Sequence, residues 1–287
     1  MAVGSLITQD YNIEVNETLL LGPGTPYDII NIEGLDLPGI RTGDVAKTLA
    51  NGYWSGSDLL EGRTITIEMT VSSSDDATQA TNLDALISAF GPTGSERSVV
   101  FKLPGFVSRF ANCRVRKMAV PVNWDYHYRL PKVTVELFAS DPLLYATSLG
   151  GGSVGLRDTG GGASANFTFD MTFGAPVSGG RLIVSNDGTY ATTPSITLYG
   201  PLLAPKITKL STGEYISLYV TVDAGSAVEL DFRYHTVKLD GVSRYDTLDP
   251  TSTWFSLDPG NTEIQFTHVD VYNATAQMNL TYRSAWV

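Results

Sequence analysis

The residues best suited to chemistry cluster in a few short stretches, and each stretch implies a different reaction or ligand. Gly151-Gly152-Ser153-Val154-Gly155 spells G-x-S-x-G, the pattern that exposes a nucleophilic serine on a tight turn between a strand and a helix. Gly150 to Gly155 also spells G-x-G-x-x-G, the pattern that cradles a phosphate at a helix N-terminus. No helical pattern follows either motif, so both are read as products of glycine density. The three histidines, His127, His235 and His268, stand far apart and in no ligand spacing, which argues against a metal site. Asp223, Asp231, Asp240, Asp246 and Asp258 fall in turn-like or alternating strand-like text, where an acid more often completes a turn than drives hydrolysis. Trp254-Phe255 with Arg233, Tyr234 and His235 is the one constellation suited to a sugar: an aromatic plate with polar donors beside it. The alternative is that Trp254 and Phe255 plug a core. Asn16, Asn166, Asn273 and Asn279 head N-x-S/T triplets, but the N-terminal residues lack the basic flank and apolar core of a secretion signal, so glycosylation is not expected. No cofactor, metal or catalytic residue is assigned, and an enzyme is not expected.

Charge narrows the partners. The chain has 287 residues and a net charge of −11, split almost evenly between its halves. A dedicated nucleic-acid binder needs clustered cations, and neither half has an excess. One local exception runs from Lys102 to Lys132, with Lys102, Arg109, Arg114, Arg116, Lys117, Arg129 and Lys132 against Asp125 alone. Arg114 and Arg116 alternate with Cys113 and Val115, so both should project from the wet face of one strand. Arg114, Arg116 and Lys117 are either a solvated face or a patch that meets an acidic subunit or partner. No apolar run approaches the ~18 residues of a membrane helix. Cys113 is the single cysteine, so no internal disulfide is available.

The elements that must position these residues are mostly strands. Ser195–Tyr199, Ser217–Val222, Val228–Phe232 and Glu263–Phe266 each place apolar residues at every second position, with Gly, Pro, Asp and Ser turns between them. Short strands so spaced predict a β-sandwich. Earlier, Arg63–Val71 alternates with Ile65, Ile67, Met69 and Val71 inward, and Ser98–Leu103, Asn112–Met118 and Lys132–Phe138 follow. One helix is expected over about 75–90, capped by Ser74 or Asp75, with Leu83, Leu86, Ile87 and Phe90 as its buried stripe. Residues 37–62 read as a long loop without structure of its own, carrying Tyr53 and Trp54 for docking or for burial beneath it. The glycine-rich text of 149–164 predicts a flexible linker between an N-terminal domain at 1–148 and a C-terminal domain at 165–287.

The order of these pieces resembles a known family. Val133-Thr134-Val135-Glu136-Leu137-Phe138 runs into Ala139-Ser140-Asp141-Pro142-Leu143-Leu144-Tyr145. Later come Asn186-Asp187-Gly188, Tyr190, Pro194-Ser195-Ile196-Thr197-Leu198-Tyr199-Gly200 and Thr212-Gly213. Leu230-Asp231, Asp240-Gly241, Trp254-Phe255-Ser256-Leu257 and Pro259-Gly260-Asn261 complete the series. The chain thereby resembles the distal tail proteins of long-tailed, siphovirus-type bacteriophages, also described as phage tail or minor tail proteins. The resemblance implies a mainly β fold of two sandwich-like domains, the first with one packed helix and the second galectin-like. It implies a non-enzymatic virion component, made in the host cytoplasm, that forms a homo-oligomeric, hexameric ring between the tail tube protein and the tail-tip hub or baseplate. Such a ring supports receptor-binding proteins and leaves a channel through which DNA passes without specific binding. The alternative function is a carbohydrate-binding module that grips host glycans through Trp254, Arg233 and His235. No membrane partner is expected.

Overall fold

A computed structural model describes residues 2–155, 180–269 and 275–287. The chain divides after Thr147 into two compact units, and Trp286 and Val287 belong to the first. The expected linker residues 156–164, the expected start of the second domain at 165, and Asn166 and Asn273 lie outside the described residues.

The first unit contains β1 (Ile13–Val15), β2 (Leu19–Leu21), β3 (Tyr27–Glu33), β4 (Ile40–Thr42), β5 (Val45–Ala46), β6 (Tyr53–Trp54), β7 (Asp58–Leu60) and β8 (Arg63–Val71). Helix α1 (Asp76–Phe90), β9 (Arg97–Phe101), β10 (Arg109–Ala119), α2 (Trp124–His127), β11 (Lys132–Ala139) and β12 (Leu144–Ala146) follow. Its main sheet runs in the order β2-β1-β9-β10-β11-β8-β3. Alternation decides its faces: Ile65, Ile67, Met69 and Val71 on β8 and Val133, Val135 and Leu137 on β11 all point into one core. Helix α1 covers that core. Asp75 caps it, its side chain accepting from the Thr78 N–H at 2.8 Å. Arg97 Nη1 donates to the Ala89 carbonyl in the last turn, satisfying a group the helix leaves open. The buried stripe differs from the expected one: Gln79, Leu83, Leu86 and Phe90 face inward, and Ile87 is 52% exposed. Gln79 extends the stripe at its N-terminal end, where its Nε2 donates to the Tyr126 carbonyl at 3.2 Å. The short α2, capped by Asn123, is a second helical turn that periodicity is too short to reveal.

Residues 37–62 are not structureless. β4 pairs with β7 and β5 with β6, so the segment is a two-stage antiparallel arm. Gly43 and Gly56 let its strands touch: a Cβ on Gly56 would sit 2.3 Å from the Gly43 carbonyl.

The second unit has β13 (Gly150–Gly155), β14 (Arg181–Asn186), β15 (Ser195–Tyr199), β16 (Leu202–Leu203), β17 (Lys206–Lys209), β18 (Tyr215–Ser217) and β19 (Thr221–Val222). It continues with β20 (Ala227–Asp231), β21 (Thr236–Leu239), β22 (Val242–Ser243), β23 (Gly260–Thr267) and β24 (Gln277–Tyr282). Two antiparallel sheets, β13-β24-β15-β20-β21-β22 and β14-β23-β17-β18, contribute to one core. Ile196, Leu198, Val228, Leu230, Met278 and Leu280 come from the first, and Val184, Ile207, Ile216, Ile264 and Phe266 from the second.

Two expectations need correction here. The glycine run is a strand in its first part, with Gly150 opposite Tyr282 and Gly155 opposite Gln277. Its glycines answer to packing: a Cβ at 150 would lie 2.7 Å from the Tyr282 ring and one at 152 would lie 2.8 Å from Leu182. The expected strand Ser217–Val222 is broken. Leu218 bridges to Leu248, and Thr221–Val222 turns away to pair with β16.

Candidate functional site

In the first unit the basic residues are gathered by a bulge. Arg114 opposes Phe138 and Lys117 opposes Glu136, so one extra residue, Arg116, is inserted on β10. Phe138 and Glu136 are two apart and share a face, hence so do Arg114 and Lys117, although they are three apart. Arg116 joins them, its guanidinium 4.9 Å from the Phe138 ring centroid. Simple alternation puts Arg114 and Arg116 outward; the bulge adds Lys117, a placement alternation cannot supply. All three are exposed, and among the described residues Arg114 and Lys117 have no ion-pair or hydrogen-bond partner.

This segment is also a free edge. β9 pairs with β10 only from Arg109 to Cys113, whereas residues 114–119 pair with β11 alone among the described strands. The sheet β10(114–119)-β11-β8-β3 therefore ends on the other side at β3, which among the described strands pairs with β8 alone, although the Tyr27 carbonyl at its start accepts from the Gly22 N–H at 2.8 Å. There the exposed Asp28 and Glu33 stand opposite Thr70 and Thr66, with Glu68 one strand in. One edge is cationic and the opposite edge anionic.

The arm leaves the same unit beside β8. Its root is clamped by Arg63, whose Nε donates to the Pro142 carbonyl at 2.9 Å and whose Nη1 donates to the Gly34 and Asp36 carbonyls at 2.8 and 2.6 Å. Burial pushes the Arg63 guanidinium below its ordinary range, and Asp36 opposes that shift. Further out, Tyr53 and Trp54 are each 67% exposed, with Lys47 Nζ 4.8 Å above the Trp54 ring. Neither aromatic is buried beneath the segment that carries it.

In the second unit the aromatic group does assemble. The His235 ring stacks on Trp254 at 4.9 Å and 8°, and Phe232 meets Trp254 edge-on at 5.0 Å. Phe255 is buried against Phe232. Arg233 lies over Tyr234, its guanidinium 5.8 Å from the ring centroid. One face of the Trp254 plate is thus taken by the protein's own imidazole, and the group reads more as a core lid than as an open sugar platform. Sequence reading overlooked a second group: Lys206, Tyr215, Tyr219, Asp249 and Thr251 converge on the outer face of β17 and β18. Its members lie up to 45 residues apart, and only strand register brings them together.

The remaining candidates hold structure. Asp231 accepts from the N–H groups of Arg233 and Tyr234, Asp240 from that of Ala227, and Asp258 pairs with the buried Lys209 at 2.6 Å. Ser153 lies on edge strand β13 opposite Asn279. Among the described residues no group of His, Cys, Asp and Glu could hold a metal, and no helix is long and apolar enough to cross a membrane.

Comparison with known proteins gives these surfaces a context. Residues 187–286 match the family of siphovirus-type tail components, C-terminal domain. The fold matches SPP1 Dit, described as a paradigm of the hub adsorption apparatus in Gram-positive-infecting phages, with a TM-score of 0.70 at 13% identity over 97% of this chain and 100% of that one. It also matches chains of the phage P2 baseplate in its activated conformation with calcium and with strontium, at TM-scores of 0.51 and 0.50 and 8% identity, over 96% of this chain and 98% of each of those. No curated protein matches. The chain is thus mainly β, with residues 187–286 matching a siphovirus-type tail-component domain and a fold similar to that of SPP1 Dit. Both likenesses, of residues 187–286 to the family model and of the fold to SPP1 Dit, are to distal tail components of this kind.

Proposed function

We propose that this chain closes into a ring, of six copies as the resemblance implies, at the distal end of a siphovirus-type tail. There it joins the tail tube to the tail-tip hub or baseplate and supports receptor-binding proteins. The observation that carries the reading is the pair of free sheet edges of opposite charge in the first unit. A surface whose two ends are unlike and complementary associates head to tail, and such contacts either close into rings or run on as filaments. Arg114, Arg116 and Lys117 of one copy would face Asp28 and Glu33 of the next. Two unpaired edges otherwise expose a template for uncontrolled pairing, and ring closure removes both. The arm, with Tyr53 and Trp54 uncovered, supplies apolar surface for the same contact or for the tube. The galectin-like character of the second unit is part of this reading, as is a channel that lets DNA pass without binding it.

The test is the mass of the purified chain by size-exclusion chromatography with light scattering. The parent should give a closed oligomer, and the triple reversal Arg114→Glu, Arg116→Glu, Lys117→Glu should give monomers. Mixing that variant with Asp28→Lys, Glu33→Lys should restore association between the two. A parent that is monomeric at every concentration, or a triple variant that assembles like the parent, would exclude the ring.

A further inference from the structure

The second unit carries a recognition surface separate from the Trp254 group. Tyr215 and Tyr219 point outward while Ile216 and Leu218, between them in sequence, are fully buried. Segment 249–253 lies alongside, with the Asp249 N–H donating to the Ser217 carbonyl and the Thr253 N–H to that of Tyr215. This brings four side chains into one network. The Tyr219 hydroxyl donates to Asp249 Oδ2 at 2.9 Å. Asp249 Oδ1 accepts from the N–H and the hydroxyl of Thr251 at 2.9 and 2.7 Å. The Tyr215 hydroxyl lies 2.8 Å from Thr251 Oγ1. On the other flank Lys206 Nζ sits 3.8 Å from the Tyr215 centroid, and register sets Thr208 between Tyr215 and Gln265.

Three properties separate this surface from an ordinary wet face. Its rings are fixed in place although Tyr219 is 65% exposed, so little side-chain freedom remains to be lost on binding. Its polar groups are left available: among the described residues Lys206 Nζ has no hydrogen-bond or ion-pair partner, lying over the Tyr215 ring and close enough to Asp249 to favour its carboxylate, and the Thr208 hydroxyl and the Gln265 amide have no hydrogen-bond partner. Its charges balance, Lys206 against Asp249 and, beside Gln265, Arg181 against Glu263 at 3.2 Å, which favours a neutral ligand with many hydroxyls over an ion. The hydrogen bonds hold the Asp249 carboxyl below its ordinary range and the adjacent carboxylate pushes the Tyr219 phenol up, so one stays an acceptor and the other a donor near neutrality. An exposed aromatic ring flanked by free donors and a carboxylate is the chemistry that holds a pyranose.

We propose that Tyr219, Tyr215, Lys206 and Asp249, with Thr208 and Gln265, form a binding site for a neutral oligosaccharide. One sugar ring stacks on Tyr219 with its hydroxyls bonding Asp249 and Lys206, and the next unit along the oligomer reaches Tyr215, Thr208 and Gln265. Tyr215 and Tyr219 are four residues apart on extended chain, roughly 13 Å, which suits an oligomer better than a single sugar. The proposal does not depend on ring assembly.

The experiment uses the full chain with maltotriose, chitotriose and galactobiose, followed by saturation-transfer NMR and calorimetric titration. At least one probe should bind saturably in the millimolar range or tighter. Tyr219→Ala should weaken it about tenfold, as loss of one stacked ring would, and Lys206→Met severalfold. Trp254→Ala should leave it unchanged. An unaltered oligomeric state and thermal midpoint for Tyr219→Ala would show that the loss is local. Absence of saturable binding to all three probes overturns the proposal, as does binding that Trp254→Ala removes and Tyr219→Ala leaves intact.

Discussion

Arg63 enters the first core at the root of the arm, 2% exposed, and its guanidinium ties β8 to two segments at once, residues 34–36 after β3 and Pro142 after β11. A planar fork carries its donors on three separated nitrogens and so reaches carbonyls on two segments, whereas an ammonium's three donors radiate from one nitrogen. Arg63→Met should therefore lower stability by roughly 3 to 5 kcal/mol, the range for breaking a buried charged network, read from the urea midpoint. Arg63→Lys should recover little of it; a lysine variant as stable as the parent would show that the clamp is incidental. The alternation that puts Ile65 and Ile67 inside also puts position 63 inside, so the site of this cation is legible in the sequence. Its partners are not, because Gly34, Asp36 and Pro142 contribute only backbone carbonyls, and a carbonyl leaves no residue-type signal. Tyr219 and Asp249 escape for a related reason: both read as ordinary surface residues until register places them side by side.

Elements with one buried face declare themselves, and those without do not. β8, β11 and β15 show period-2 text because one side of each packs on a core. The arm is exposed along almost its whole length, so no alternation selects its residues and it reads as loop. β13 hides for the opposite reason: its glycines leave no side chains to alternate, yet Tyr282 and Leu182 fill the space they vacate. The arm's strands meet at Gly43 and Gly56, so Gly56→Val should break it by driving a Cβ into the Gly43 carbonyl. Since the arm contributes nothing to the core cluster of its unit beyond its root, the thermal midpoint should hold while assembly by light scattering is lost. A Gly56→Val chain that assembles normally would remove the arm from the interface and leave the charged edges alone.

At the scale of the molecule, the described residues form two separate apolar clusters, one drawn from the first unit and one from the second. Each is built from strands that pair within its own unit, so each has the makings of an independent cooperative transition. Leu86 is fully buried under α1 in the first cluster, and Phe232 packs on Trp254 and Phe255 in the second. Truncating either leaves a cavity, at about 2 to 5 kcal/mol for Leu86→Ala and about 3 to 5 kcal/mol for Phe232→Ala. Scanning calorimetry should resolve two transitions, with Leu86→Ala lowering one and Phe232→Ala lowering the other. A single transition that both variants shift equally would mean that the two units unfold as one. The same pair of variants bears on ring formation, since the charged edges and the arm belong to the first unit. Phe232→Ala, measured below its transition, should still assemble, whereas Leu86→Ala should lose assembly as the first unit melts.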